Sequence, residues 1–90
     1  MPEYLVELYV SQADTAAVER GAARARSGAE ELTRSGMPVR YVRSIFVPAD
    51  ETCFFLYEAD SIDAVREAAT RAELPFERIA DVFALRTTTG

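Results

Sequence analysis

The sequence predicts an α+β domain in the order β-α-β-β-α-β, with one four-stranded antiparallel sheet and both helices on a single face of it. Three observations predict this. Four segments show the two-residue alternation of strands, and two longer segments between them carry helix caps and apolar stripes at three- and four-residue steps. The two middle strands are separated only by Pro48-Ala-Asp-Glu, a hairpin connection, so each helix must link a middle strand to an outer one.

Each element follows from its residues. Tyr4 to Val10 alternates, with Tyr4, Val6, Leu8 and Val10 on one side and Leu5, Glu7 and Tyr9 on the other. Asp14 or Thr15 caps a first helix that runs to about Ser35, with Gly36 as its stop. Val18, Ala22, Ala25, Ala29 and Leu32 form its buried stripe, flanked by Gly21 and Gly28. Each interior glycine costs up to about 1 kcal/mol of helix propensity, a cost that a close approach to the sheet or to a partner would offset.

Val39 to Val47 is the second strand and Thr52 to Glu58 the third. Asp60 or Ser61 caps the second helix, whose buried stripe is Ile62, Val65, Ala69 and Ala72. Pro75 ends it at Leu74, because the residue before a proline is pushed out of the helical region. Arg78 to Leu85 is the last strand, and residues 87–90 read as a frayed tail. The result is one ferredoxin-like domain spanning residues 1–90.

Composition narrows the functional classes. The net charge is −5 and the arginines are interleaved with acids, so no nucleic-acid partner is expected, since such a face needs clustered cations. No apolar run is long enough to span a bilayer, and the N-terminal segment lacks a basic region and a small-residue cleavage site. Cys53 is alone and cannot form an internal disulfide, which fits a reducing compartment. The expectation is a cytoplasmic protein. All ten basic residues are arginine, and histidine, lysine, asparagine and tryptophan are absent. The missing histidine removes the commonest general base and metal ligand, and the missing asparagine removes an acylphosphatase-like mechanism. An RNA-recognition sheet would need a basic RNP1 pattern, and a copper-chaperone-like domain a CxxC pair; neither occurs. Enzymatic activity is thus left open, with the balance against it.

Both helices on one face leave the other face open. Taking Val6, Leu8, Phe54 and Leu56 as the helix-side set puts Glu7, Tyr9, Cys53, Phe55 and Tyr57 on the open side, joined by Tyr41, Arg43 and Ile45. A face this apolar requires cover, and a second copy of the chain is the simplest cover, giving a homodimer. Glu7, Tyr9, Tyr41, Arg43 and Tyr57 are the candidate ligand-binding set, a carboxylate, a guanidinium and three phenols that could hold a small organic molecule between two sheets. The plainer alternative for the same residues is an interface with one salt bridge and an aromatic rim. Cys53 in mid-strand reads as a small hydrophobe, because only Arg43 could stabilise its thiolate. Two acidic groups could offer oxygen to a divalent cation: Asp50 and Glu51 in the hairpin, and Asp60, Asp63 and Glu67 at the start of the second helix. Both also read as solvated surface, with Glu67–Arg71 and Glu30–Arg34 as ordinary i,i+4 pairs.

The segment Ser44 to Ile79 resembles a family of small bacterial proteins described as nickel-binding. The shared pattern is an acidic turn, a T-x-F-x-x-Y-E-A strand, V-R-E-x-A in a helix and a following L-P. Here these are Asp50, Thr52, Phe54, Tyr57, Glu58, Ala59, Val65, Arg66, Glu67, Ala69, Leu74 and Pro75. The first strand fits as well, so the resemblance covers nearly the whole chain. It implies a ferredoxin-like subunit, a homodimer and divalent metal bound on the dimer surface, with nickel sequestration or tolerance as the role. Many members carry a histidine directly after V-R-E, where this chain has Ala68. Nickel prefers nitrogen and sulfur donors, so an all-oxygen site drawn from Asp50, Glu51, Asp60, Asp63 or Glu67 would be weaker and less selective. The leading expectation is a non-enzymatic, dimeric, nickel-binding protein. The alternative is a dimeric α+β barrel that binds or converts a small organic ligand between its sheets, and a purely structural interaction module stands behind both.

Overall fold

The structure, a computed structural model, describes residues 1–83. Its elements are β1 (Glu3–Tyr9), α1 (Thr15–Arg34), β2 (Val39–Val47), a 3₁₀ turn (Pro48–Asp50), β3 (Thr52–Ala59), α2 (Ile62–Arg71) and β4 (Phe76–Val82). The sheet order is β2-β3-β1-β4 and every neighbouring pair is antiparallel. This is the expected ferredoxin-like α+β arrangement. β4 starts two residues earlier than expected, at Phe76 directly after Pro75. The expected strand end at Leu85 and the frayed tail lie outside the described residues.

The helix ends are set by local chemistry. Asp14 Oδ1 accepts from the Ala17 amide at 3.1 Å and Ser61 Oγ from the Ala64 amide at 3.2 Å, so each capping side chain satisfies a donor that the first turn leaves open. Gly36 follows α1 with φ +106, a left-handed conformation that lets the Met37 amide return to the Leu32 carbonyl at 3.1 Å.

The two glycines of α1 have packing reasons. A Cβ on Gly21 would stand 3.0 Å from the Phe55 ring, and one on Gly28 would stand 3.1 Å from the Ala68 carbonyl oxygen. The first glycine lets α1 sit on the sheet and the second lets it sit on α2. Around these approaches lies the core: Val6, Leu8, Ala25, Ala29, Leu32, Phe55, Tyr57, Val65 and Ala69 are all buried. No charged or polar residue is buried with them among the described residues.

Which side of β3 faces the helices is the reverse of the sequence expectation. Tyr4, Val6 and Leu8 pair directly with Tyr57, Phe55 and Cys53, so these six residues share the helix side, while Phe54 and Leu56 point to the open side. The run Cys-Phe-Phe-Leu-Tyr is apolar on both faces, so alternation within it cannot choose a side. Extending the alternation to the strand ends does: Thr52, Phe54, Leu56 and Glu58 include a carboxylate and a hydroxyl, while Cys53, Phe55, Tyr57 and Ala59 include no charge.

Tyr41 is the second correction. A register shift between Tyr41 and Arg43 breaks the alternation of β2, so Tyr41 pairs with Tyr57 on the helix side while Arg43 and Ile45 pair with Leu56 and Phe54 on the open side. Such a bulge adds one residue to one strand and re-aims the side chains on either side of it.

Candidate functional site

The open sheet face is built in rows across the strands. Ile45, Phe54, Glu7 and Arg78 form one row; Arg43, Leu56, Leu5 and Ala80 form the next; Arg40, Glu58, Glu3 and Val82 form the third. The middle of this face is apolar and its charges are largely matched. Arg78 Nε donates to Glu7 Oε1 at 3.0 Å, and Arg40 Nη2 approaches Glu58 Oε1 to 2.8 Å. Arg43 is exposed and makes no ion pair among the described residues. Partly exposed Leu5, Phe54 and Leu56, with exposed Ile45, make the surface one that a partner would cover at a gain of roughly 25 cal/mol per Å² of apolar area.

The five residues of the candidate ligand-binding set do not converge. Glu7, Tyr9 and Arg43 are on the open face, and Tyr41 and Tyr57 are on the other. Tyr57 is fully buried and its hydroxyl has no hydrogen-bond partner among the described residues. Burial, with Tyr41 beside it, pushes its phenol well above the ordinary range. Tyr41 packs edge-on against Phe55 and Tyr57, with ring centroids 6.0 and 6.1 Å apart, and its hydroxyl shares a hydrogen bond with Ser44 Oγ. Tyr9 lies at the rim, where its hydroxyl donates to Glu51 Oε2 at 3.3 Å. The negative charge of Glu51 raises the Tyr9 phenol, with smaller contributions from burial and from this hydrogen bond.

Cys53 is fully buried, and burial pushes its thiol up to about 11. It stays protonated at neutral pH and packs as a small apolar side chain, without the cation that a reactive thiolate needs.

The acidic candidates fall into two separate places. Asp50 and Glu51 stand at one end of β3 and Asp60, Asp63 and Glu67 beyond the other end, about 25 Å away for a strand of this length. Glu51 is occupied in fold support: with φ 49 it closes the hairpin, its carbonyl accepts from the Val10 amide, and its carboxylate accepts from the Gln12 amide. Asp63 pairs with Arg66 at 3.4 Å and Glu67 with Arg71 at 3.3 Å. The expected Glu30–Arg34 pair does not form; Arg71 instead reaches Glu31 across the helix pair at 3.1 Å. Arg71 bridges two helices, a contact that helical spacing alone does not reveal.

A family model described as nickel responsive protein, SCO4226-like, matches residues 4–82 of this chain. The chain belongs to that family. The crystal structure of SCO4226 from Streptomyces coelicolor A3(2) is similar to this SCO4226-like chain with a TM-score of 0.75, covering 93% of this chain and 99% of that one at 15% sequence identity. At that identity the likeness shows the shared fold. No curated protein matches the chain in sequence.

The family description makes nickel the group to test against these residues. Among the described residues no three histidine, cysteine, aspartate or glutamate side chains gather where they could hold a metal ion. Nickel favours imidazole and thiolate donors. This SCO4226-like chain has no histidine, its one thiol is buried and protonated, and Ala68, directly after Val-Arg-Glu, is fully buried against α1. The donor set of this chain does not fit a nickel centre.

Proposed function

We propose that the chain acts in the cytoplasm as a homodimer in a nickel response, serving metal sequestration or tolerance without catalysing a reaction. The family match over residues 4–82 is the observation that carries this reading. The homodimer is supported by the apolar middle of the open face, which a second copy would cover by packing sheet against sheet, Phe54 and Leu56 at its centre. Because the donors of one protomer do not fit nickel, metal capture is left to carboxylate oxygens such as those of Asp50, Glu51, Asp60, Asp63 and Glu67. Oxygen donors suit hard cations and discriminate poorly in favour of nickel. Calorimetric titration of nickel, zinc and magnesium into tag-free, chelator-stripped protein tests this. Micromolar nickel uptake supports metal capture by this chain, and selective uptake a nickel-specific role; no uptake overturns metal capture, and equal uptake of all three ions overturns nickel specificity.

A second reading rests on Arg43, an exposed guanidinium without an ion pair among the described residues, set beside Leu56 on the open face. Between two packed sheets it could orient a small organic molecule, with Glu7 and Tyr9 on the same face. Tyr41 and Tyr57 face the helices and take no part. Loss of ligand binding in Arg43→Ala, with the dimer intact, supports this reading; a dry sheet–sheet interface without a cavity overturns it.

A further inference from the structure

A concavity of about 570 Å³ lies away from the open face, at the edge of the sheet between the second half of α1 and the start of β2. Its volume is in the range of small-molecule sites. Met1, Pro38 and the Tyr41 ring give it apolar walls over the buried Ala29 and Val39, and Arg26, Glu30 and Arg34 border it from α1, at spacings that share one helix face. Arg40 borders it from β2.

Its charge runs against that of the molecule. The chain has fifteen acids and ten bases, yet this cleft gathers three guanidiniums and one carboxylate. Arg40 is engaged by Glu58 at 2.8 Å. Arg26 and Arg34 make no ion pair among the described residues, not even with Glu30, which stands four positions from each. Arg34 closes α1 and complements the negative end of the helix dipole, which accounts for its presence there. Arg26 sits two turns earlier, beyond the reach of that effect. Its guanidinium stands 5.7 Å from the Tyr41 ring centroid, and Tyr41 is itself held by Phe55, Tyr57 and Ser44. A cation resting on a fixed ring keeps its in-plane N–H donors available for an anion.

We propose that this cleft binds a small organic carboxylate with an apolar body. Arg26 takes the carboxylate, Arg34 adds to the positive potential, and the body lies against Met1, Pro38 and the Tyr41 ring. The site is independent of the nickel reading and of the sheet face.

The test is a titration of ¹⁵N-labelled protein with 2-naphthoate and, separately, with the neutral 2-naphthylmethanol, followed by amide chemical shifts. The expected result is saturable naphthoate binding with the largest shifts over residues 26–34 and 38–41, and binding of the alcohol at least about tenfold weaker. Arg26→Met should weaken naphthoate at least about tenfold, Arg26→Lys should restore part of the loss, and Arg24→Met, outside the cleft, should change nothing. The thermal midpoint should fall by no more than a few degrees in any of the three, since these side chains are exposed and the Arg26–Tyr41 contact contributes at most about 1 kcal/mol. Failure to saturate, equal binding of acid and alcohol, undiminished binding to Arg26→Met, or shifts centred on Leu5, Phe54 and Leu56 would each overturn the proposal.

Discussion

Along β3, Cys53, Phe55, Tyr57 and Ala59 are at most 1% exposed, while Phe54 and Leu56, interleaved with them, remain partly exposed in the single chain. Both sets are apolar in the middle and both lie on the same strands. They differ in what meets them: the first set meets two helices whose glycines and alanines let backbones approach, and the second meets no helix among the described residues. Apolar content alone therefore does not distinguish a core face from an open face. The distinction lies toward the strand ends, where Glu3, Glu7, Thr52 and Glu58 place groups that tolerate an exposed or partner-covered surface but not a helix-covered core.

Truncating neighbouring phenylalanines is the largest expected contrast. Phe55→Ala should cost about 3–5 kcal/mol of stability in urea unfolding, because the ring fills the space beside Gly21, whereas Phe54→Ala should cost the isolated chain well under that. Equal losses would break the distinction between the faces. Phe54→Asp should next weaken self-association by about 3 kcal/mol or more, over a hundredfold in dissociation constant by sedimentation equilibrium, because it buries a carboxylate without a partner. Gly28→Ala is smaller: its Cβ would press on the Ala68 carbonyl, and after a helix-propensity gain of up to about 1 kcal/mol it should still lower stability by roughly 1 kcal/mol.

The smallest effect is on pH dependence. The folded state keeps Cys53 and Tyr57 protonated after the unfolded chain has begun to ionise, so stability is full below the unfolded values and falls as pH rises past them. The loss should begin near pH ~8.5 for the thiol, level off for it near its folded value of about 11, and begin near pH ~10 for the phenol. Cys53→Ala should flatten the first part of this slope and Tyr57→Phe the second. Tyr57→Phe also removes an unpartnered buried hydroxyl, so near neutral pH it should be neutral or stabilising by up to about 1 kcal/mol.

The sequence carried the fold nearly whole. Caps at Asp14 and Ser61, the stops at Gly36 and Pro75 and the hairpin at Pro48 are local signals, and local signals are legible in one dimension. The candidate site was less so. Its β3 residues were assigned to the wrong face because an adjacent Phe-Phe pair has no preferred side until the strand ends are counted. Tyr41 went astray because the bulge before Arg43 leaves no mark in the residue pattern. The α1–β2 cleft was missed because it joins residues from two elements, although Arg26, Glu30 and Arg34 at helical spacing gave a partial signal.

A second copy of the chain is proposed to complete the open face. Light-scattering mass measured for the wild-type chain and for Phe54→Asp tests it most directly. The account predicts twice the 10.0 kDa chain mass for the wild type and the single-chain mass, with unchanged far-UV dichroism, for the variant. A monomeric wild type, or a dimer that Phe54→Asp leaves intact, would contradict it.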